Sequence, residues 1–364
     1  MDLPVKSLFT QTGSPSLRNN SFDLIRHIAA LMVLVSHHFV LAGRSEPGIP
    51  GYSSWGGIAV TCFFAISGLL ITLSFLHAAS VQDYLAKRVA RIFPALIACS
   101  FLMTFVAGAF FASDYVLGTA PWLDFLRISF FGRANIEAIT DGFIFSESFN
   151  GSLWTLKIEF AFYLLLALML KGVRSAWMPW LALGMLGVAT YVLSQNTNSA
   201  LAHKFTLYGA AGIAFFLGSV LAFHRNRLKG SGPKCLLLAL GTVLIVGSTG
   251  TSFVWVAATL GIALATLSVG LLFVDPCIKG RFDISYGMYL YAFPVQQLII
   301  NKTALGFYPS MAVTTVAVIG LATLSWLLIE QPALRFVHRK NTREPAQGNA
   351  TTASTPPGTL PSDN

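Results

Sequence analysis

The first apolar stretch, Phe22 to Ala42, reads FDLIRHIAALMVLVSHHFVLA and carries ionisable side chains inside a run of spanning length. Arg26 and His37 lie eleven positions apart. That is about three helical turns, so both project from one face with about 16 Å between them along the axis. An ionisable group within a span costs roughly 3 kcal/mol or more and normally faces the protein interior or a wet cavity. Histidine is the usual side chain for taking a proton near neutral pH. His37 is therefore a candidate base or nucleophile, and Arg26 a candidate polar station on the same face. His38 points about 100° away around the helix and is a secondary candidate. The competing reading has Arg26 snorkelling to headgroups and both histidines at the interface.

Four further stretches carry candidate chemistry. In CFFAISGLL, Cys62 to Leu70, the Ser67-Gly68 pair permits close packing or a local break. In YLAKRVARIFP, Lys87, Arg88 and Arg91 form a basic cluster, with Arg88 and Arg91 on one helix face. Two guanidiniums there suit a phosphate-bearing ligand through forked hydrogen bonds; the alternative is a stop-transfer cluster on anionic lipid. Pro94 is read as opening the next span. In GSLWTLKIEFAFY, Glu159 lies about two turns into an apolar run and needs a partner. It is read as acid/base help, as an orienter of histidine, as a contact for sugar hydroxyls, or as a structural pair with an arginine or Lys157. In DISYGMYLYAFPV, Ser285, Tyr286, Tyr289 and Tyr291 supply hydroxyls, or belong to an aromatic belt.

These residues need a membrane scaffold to position them. The 364-residue chain is 54% hydrophobic and 11% charged, whereas soluble domains carry about 25% charged residues. Its mean hydropathy is +0.66. The fold class is all-α: a polytopic membrane helix bundle of about ten spans, near 22–42, 55–77, 93–111, 152–170, 177–194, 205–223, 235–250, 253–274, 284–301 and 309–330. Lys6 and Arg18 precede the first run, which itself holds charges, so it is expected to stay as a span rather than be cleaved. Of 24 Lys and Arg, 18 fall on the side of the N-terminus and five on the other, which predicts N-in and C-in. The net charge of +9 is read as topology, with no nucleic-acid partner. Cys62, Cys99, Cys235 and Cys277 show no metal-ligand spacing and are read as packing residues, with no metal expected. Residues 1–21 read as a cytoplasmic tail, 112–151 as an acidic outer segment bordering a mouth, and 341–364 as a disordered cytoplasmic tail.

Taken in order, LIRHIA…SHH, FFAISGLL, RVARIFP, SLWTLKIEFAFY, ISYGMYLYAFPV and IEQP resemble the acyltransferase-3 family of integral-membrane O-acyltransferases across residues 22–332. The resemblance implies transfer of an acyl group, usually acetyl, from cytoplasmic acetyl-CoA or another acyl-CoA to a hydroxyl of a surface or exported glycan. The acceptor would be that glycan or a lipid-linked sugar, and the setting the bilayer of a bacterial inner membrane. On that reading His37, Glu159 and Arg26 form the catalytic set. Arg88, Arg91 and Arg26 meet the donor, and Trp154, Tyr286, Tyr289 and Ser67 the acceptor. His37 is either general base or acyl-carrying nucleophile. Two positions depart from the family pattern: Ala292 stands where a histidine is often found, and Gln331 where an arginine is common. A transporter of a small polar or glycan-related solute is the rival, but repeats between the two halves are not seen. A non-catalytic scaffold would leave Arg26 and His37 replaceable.

The sidedness is open to direct test. With the four native cysteines removed, Ser146→Cys should react with a membrane-impermeant thiol reagent on intact cells and Ser80→Cys should not. The reverse pattern would invert the orientation.

Overall fold

The computed structural model describes residues 20–196, 198–275, 278 and 282–337; the tail before residue 20, the segment from 341 onward and Cys277 lie outside the described residues. The architecture is an all-α bundle. Ten long helices define it: α1 (Phe22–Leu41), α2 (Trp55–Leu76), α3 (Val81–Phe101), α4 (Trp154–Gly172), α5 (Trp177–Ser194), α6 (Ala200–Phe223), α7 (Gly232–Ser248), α8 (Val254–Leu272), α9 (Ser285–Lys302) and α10 (Phe307–Ser325). Each expected apolar segment falls on one of them. Eight described helices have the length and apolar composition of a span, which is fewer than the ten expected. α7 is apolar but has 17 residues. α9 has 18 residues but buries Ser285, Gln296 and Gln297, and its polarity marks it as an interior helix.

Short-range chemistry sets several helix starts. Ser54, Ser80 and Ser199 each accept the backbone N–H three residues on, at 3.3, 3.0 and 3.2 Å, satisfying a donor the helix cannot. Between α1 and α2 a two-stranded hairpin pairs β1 (Gly48–Ile49) with β2 (Ser53–Ser54). Gly51 turns it with a positive φ of 73°.

The central helix is α6, which packs on α2, α5 and α8. Without a hydrophobic drive between helices in lipid, small residues let backbones approach and disperse close contacts. A Cβ at Gly68 would lie 1.8 Å from the Phe215 carbonyl oxygen, and one at Gly218 2.3 Å from that of Ala65. α2 and α6 therefore cross backbone to backbone, with Phe215 and Phe216 fully buried beside the crossing. Ser67-Gly68 is thus a packing site within an unbroken helix.

One expectation gives way. α3 runs straight through Pro94 rather than starting there, so Lys87, Arg88 and Arg91 sit within a helix that a π turn (Leu102–Val106) carries on to Phe111. Pro94 lacks the N–H that would bond the Ala90 carbonyl, and in the same stretch the Tyr286 hydroxyl donates to the Ile92 carbonyl at 2.9 Å, tying α9 to α3. The segment 112–151, too long for a bare connection, carries structure of its own. It holds short helices at Ser113–Val116, Ala120–Ser129 and Glu137–Thr140. Its Ile136, Ile139 and Phe149 are buried with Leu96, Cys99, Met103 and Leu290.

The α2–α6 crossing generates a prediction. Gly68→Ala should cost about 1–3 kcal/mol through overpacking and lower the thermal unfolding temperature of the purified protein. Gly247→Ala, where a Cβ meets nothing within 4 Å, should leave it unchanged. Equal melting of both variants would remove the crossing from the stability account.

Candidate functional site

The site is built along one face of α9. At its start Asp283, just before the first turn, draws in two arginines. Arg91 of α3 donates to Asp283 Oδ2 at 2.7 Å, and Arg26 of α1 lies 3.6 Å from the same oxygen. Ser285 Oγ donates to Asp283 Oδ1 at 2.6 Å. Arg26 also pairs with Asp23. Arg91 reaches Glu330 Oε2 at 3.4 Å, and Ser325 Oγ donates to Glu330 Oε1 at 3.1 Å. Burial alone would raise the Asp283 pKa, but the two guanidiniums beside it hold it well below the usual carboxylate range. A π turn, Trp326–Glu330, delivers Glu330 from the end of α10, a deformation often found at functional sites. Arg91 is ten residues into α3, so this cluster is recessed by about 15 Å from the start of that helix.

Further along α9 come two expected acceptor contacts. The Tyr286 hydroxyl is committed to the Ile92 carbonyl. The Tyr289 hydroxyl donates to the Ser152 carbonyl at 3.0 Å and meets Thr155 Oγ1 at 2.6 Å. Both tie α9 to neighbouring helices. Beyond them Phe293 stands edge-on to the His37 ring, with centroids 5.2 Å apart.

The two adjacent histidines have different surroundings. His38 is fully buried, and its Nε2 lies 3.1 Å from both the Phe307 carbonyl and Ser310 Oγ. Gln296 Nε2 donates to its Nδ1 at 3.3 Å. A neutral ring protonated on Nε2 satisfies all three contacts. His37 Nδ1 is buried with no hydrogen-bond partner among the described residues. One imidazole is a strut between α1, α9 and α10; the other is untied.

Glu159 lies deeper in α4. Ser67 of α2 donates to its Oε1 at 2.6 Å, and Tyr163, one turn on, donates to the same oxygen. Among the described residues no hydrogen bond joins it to His37, and Lys157 is exposed rather than paired with it. Tyr84, one turn before Arg88 on α3, donates its hydroxyl to the Tyr163 carbonyl at 3.1 Å, and Tyr163 is one turn beyond Glu159. Trp154 stacks on Tyr208 of α6, centroids 5.5 Å apart and planes 25° apart, at the end of the bundle where α1 stops and α4 begins. Ala292 is buried among Ala30, Leu34 and Val318, an apolar setting. Among the described residues no group of three or more His, Cys, Asp or Glu is placed to hold a metal ion, and Cys62, Cys99 and Cys235 are free thiols.

Asp283, Glu330 and Tyr163 were not singled out as site residues from the sequence. The signal for the first two was present: a carboxylate at each end of the stretch ISYG…IEQP, in a chain with few charges, must have a cationic partner.

Comparison with known proteins shows the family. A family model described as an acyltransferase domain matches residues 19–330. A protein of Shigella phage Sf6 called O-acetyl transferase is 36% identical over 339 residues, covering 89% of this chain and 98% of that protein. Nodulation protein 10 of Rhizobium leguminosarum bv. viciae is 30% identical over 354 residues, covering 87% of this chain and 94% of its own. An uncharacterized protein of Haemophilus influenzae is 27% identical over 181 residues, 45% of this chain and 74% of that one. No solved structure matches the chain. The chain belongs to the membrane acyltransferase-3 family and is an O-acyltransferase.

The ion cluster predicts unequal arginines. Arg91→Ala leaves Asp283 and Glu330, 1% and 0% exposed, without their shared cation. It should destabilise by about 3–5 kcal/mol, read as lost folded yield and a lower melting temperature. Arg88→Ala should melt near wild type. Equal losses would show that the carboxylates do not depend on Arg91.

Proposed function

We propose that the protein moves an acetyl group from cytoplasmic acetyl-CoA to a hydroxyl of a surface or exported glycan, in the bacterial inner membrane. The observation that carries this reading is the untied imidazole of His37, eleven residues along α1 from an arginine cluster. That separation, about 16 Å, is within reach of an extended pantetheine arm. The name of the phage relative supports acetyl as the group, and the family motifs support a glycan acceptor.

In this mechanism the donor enters at the arginine end, oriented by the positive-inside count to the cytoplasm. Arg26 and Arg91, already held by carboxylates, frame the entry, and Arg88 meets the donor. The thioester is carried along the α9 face to His37. There the imidazole takes the proton of the acceptor hydroxyl as its oxygen attacks the thioester carbonyl. The carbon–sulfur bond breaks, and the imidazolium returns the proton to the departing CoA sulfur. Trp154, stacked on Tyr208 at the far end, offers an aromatic face to a sugar ring. Ser67, Tyr286 and Tyr289 keep the frame in register through Glu159, Ile92 and Ser152.

The histidine pair separates this from the transporter reading. His37→Ala should lower acetyl transfer by the purified protein about 10²–10⁴-fold with folded yield unchanged. His38→Ala should reduce stability more than turnover per folded molecule. Near-wild-type transfer by His37→Ala would overturn the assignment.

A further inference from the structure

Two polar atoms near the arginine cluster have no hydrogen-bond partner among the described residues. Arg88 Nε is buried and lacks a hydrogen-bond acceptor among the described residues. Ser67 and Tyr163 both donate to Oε1 of Glu159, and among the described residues nothing donates to its Oε2. Tyr84, one turn before Arg88 on α3, donates to the Tyr163 carbonyl at 3.1 Å, and Tyr163, one turn beyond Glu159 on α4, donates to that carboxylate. This sets Arg88 and Glu159 near one level of the α3–α4 pair, yet no ion pair within 4 Å joins them among the described residues. Ser67 and Tyr163 hold the carboxylate in place. An unpaired buried donor costs about 1–3 kcal/mol, more when charged, so this arrangement is one that a ligand completes.

The ligand group must accept from a guanidinium and donate to a carboxylate. A phosphate answers only the first demand, and it would bring its own negative charge against Glu159. A trans amide answers both, because its C=O and N–H point in opposite directions. Acyl-CoA carries two such amides between its nucleotide and its thioester. Thr155, one turn before Glu159 on α4, meets the Tyr289 hydroxyl at 2.6 Å, and Tyr289 is one turn before the Phe293 that packs on His37. An arm held at Glu159 therefore points its sulfur along the α9 face toward the imidazole.

We propose that Arg88 and Glu159 form an amide-binding pair for the donor's pantetheine arm, with Arg88 Nε donating to the amide carbonyl and Glu159 Oε2 accepting from its N–H. This rests on the acyl-CoA reading above and gives Glu159 a binding role in place of orienting the histidine.

The test is equilibrium binding to the full-length protein of CoA and of two analogues, each with one amide replaced by an ester. In wild type, one of the esters should bind about tenfold or more weakly than CoA, the loss of one charge-assisted hydrogen bond. In Glu159→Gln that difference should shrink to about threefold or less. Equal binding of both esters and CoA to wild type overturns the pair, and this arm needs no variant to fold. An ester penalty undiminished in Glu159→Gln places the N–H contact elsewhere and also overturns it. Failure of wild type to bind CoA at all would instead remove the donor reading on which the pair rests.

Discussion

The pairing of Asp283 with Arg26 and Arg91 is the constraint on which the rest of the arrangement depends. A single carboxylate, 1% exposed, ties the entry to α9 to helices α1 and α3. Glu330 adds the end of α10 through Arg91. Desolvating such charges costs several kcal/mol each, repaid only when geometry and added hydrogen bonds are good. Here Ser285 and Ser325 supply those bonds. The cluster does not make the bundle stable by itself. Apolar packing around α6 and the glycine crossings does that. What the cluster fixes is the register of four helices against one another, and that register sets where His37 falls relative to the arginines.

From this anchor α9 acts as a ruler. Asp283, Tyr286, Tyr289 and Phe293 recur at near-helical intervals and touch, in order, the arginines, α3, α4 and His37. The hydroxyls along the ruler are spent on neighbouring helices, which makes it rigid. Among the described residues, His37 Nδ1, Arg88 Nε and one oxygen of Glu159 keep hydrogen-bonding capacity unused. Catalysis gains from groups already held in place, since nothing then has to reorganise in the transition state. His38 shows the contrast, with both ring nitrogens occupied by α9 and α10.

Much of this was legible in the sequence because membrane spans are written locally. Every apolar run became a helix, and the spacing of Arg26 and His37 put them on one face as helical geometry requires. What local pattern could not carry was pairing across long separations. Ser67 and Glu159 are 92 residues apart, and Arg91 and Asp283 192. The adjacent histidines look alike in sequence and differ only through Gln296 and Ser310, both distant in the chain. Pro94 misled because proline usually marks a helix start. The segment 112–151 lacks a sustained apolar period, so its short helices, buried through scattered residues such as Ile136 and Phe149, left little trace.

The central claim is that one continuous α9 face brings the thioester from the arginine cluster to His37. The most direct measurement is an experimental structure of the protein with a non-hydrolysable acetyl-CoA analogue. The account predicts the acetyl carbonyl carbon within about 3–3.5 Å of the attacking position beside the His37 ring, with the nucleotide at the end holding Arg26 and Arg91. An acetyl group resting among the arginines, or a nucleotide lying against Trp154 and Tyr208, would contradict it.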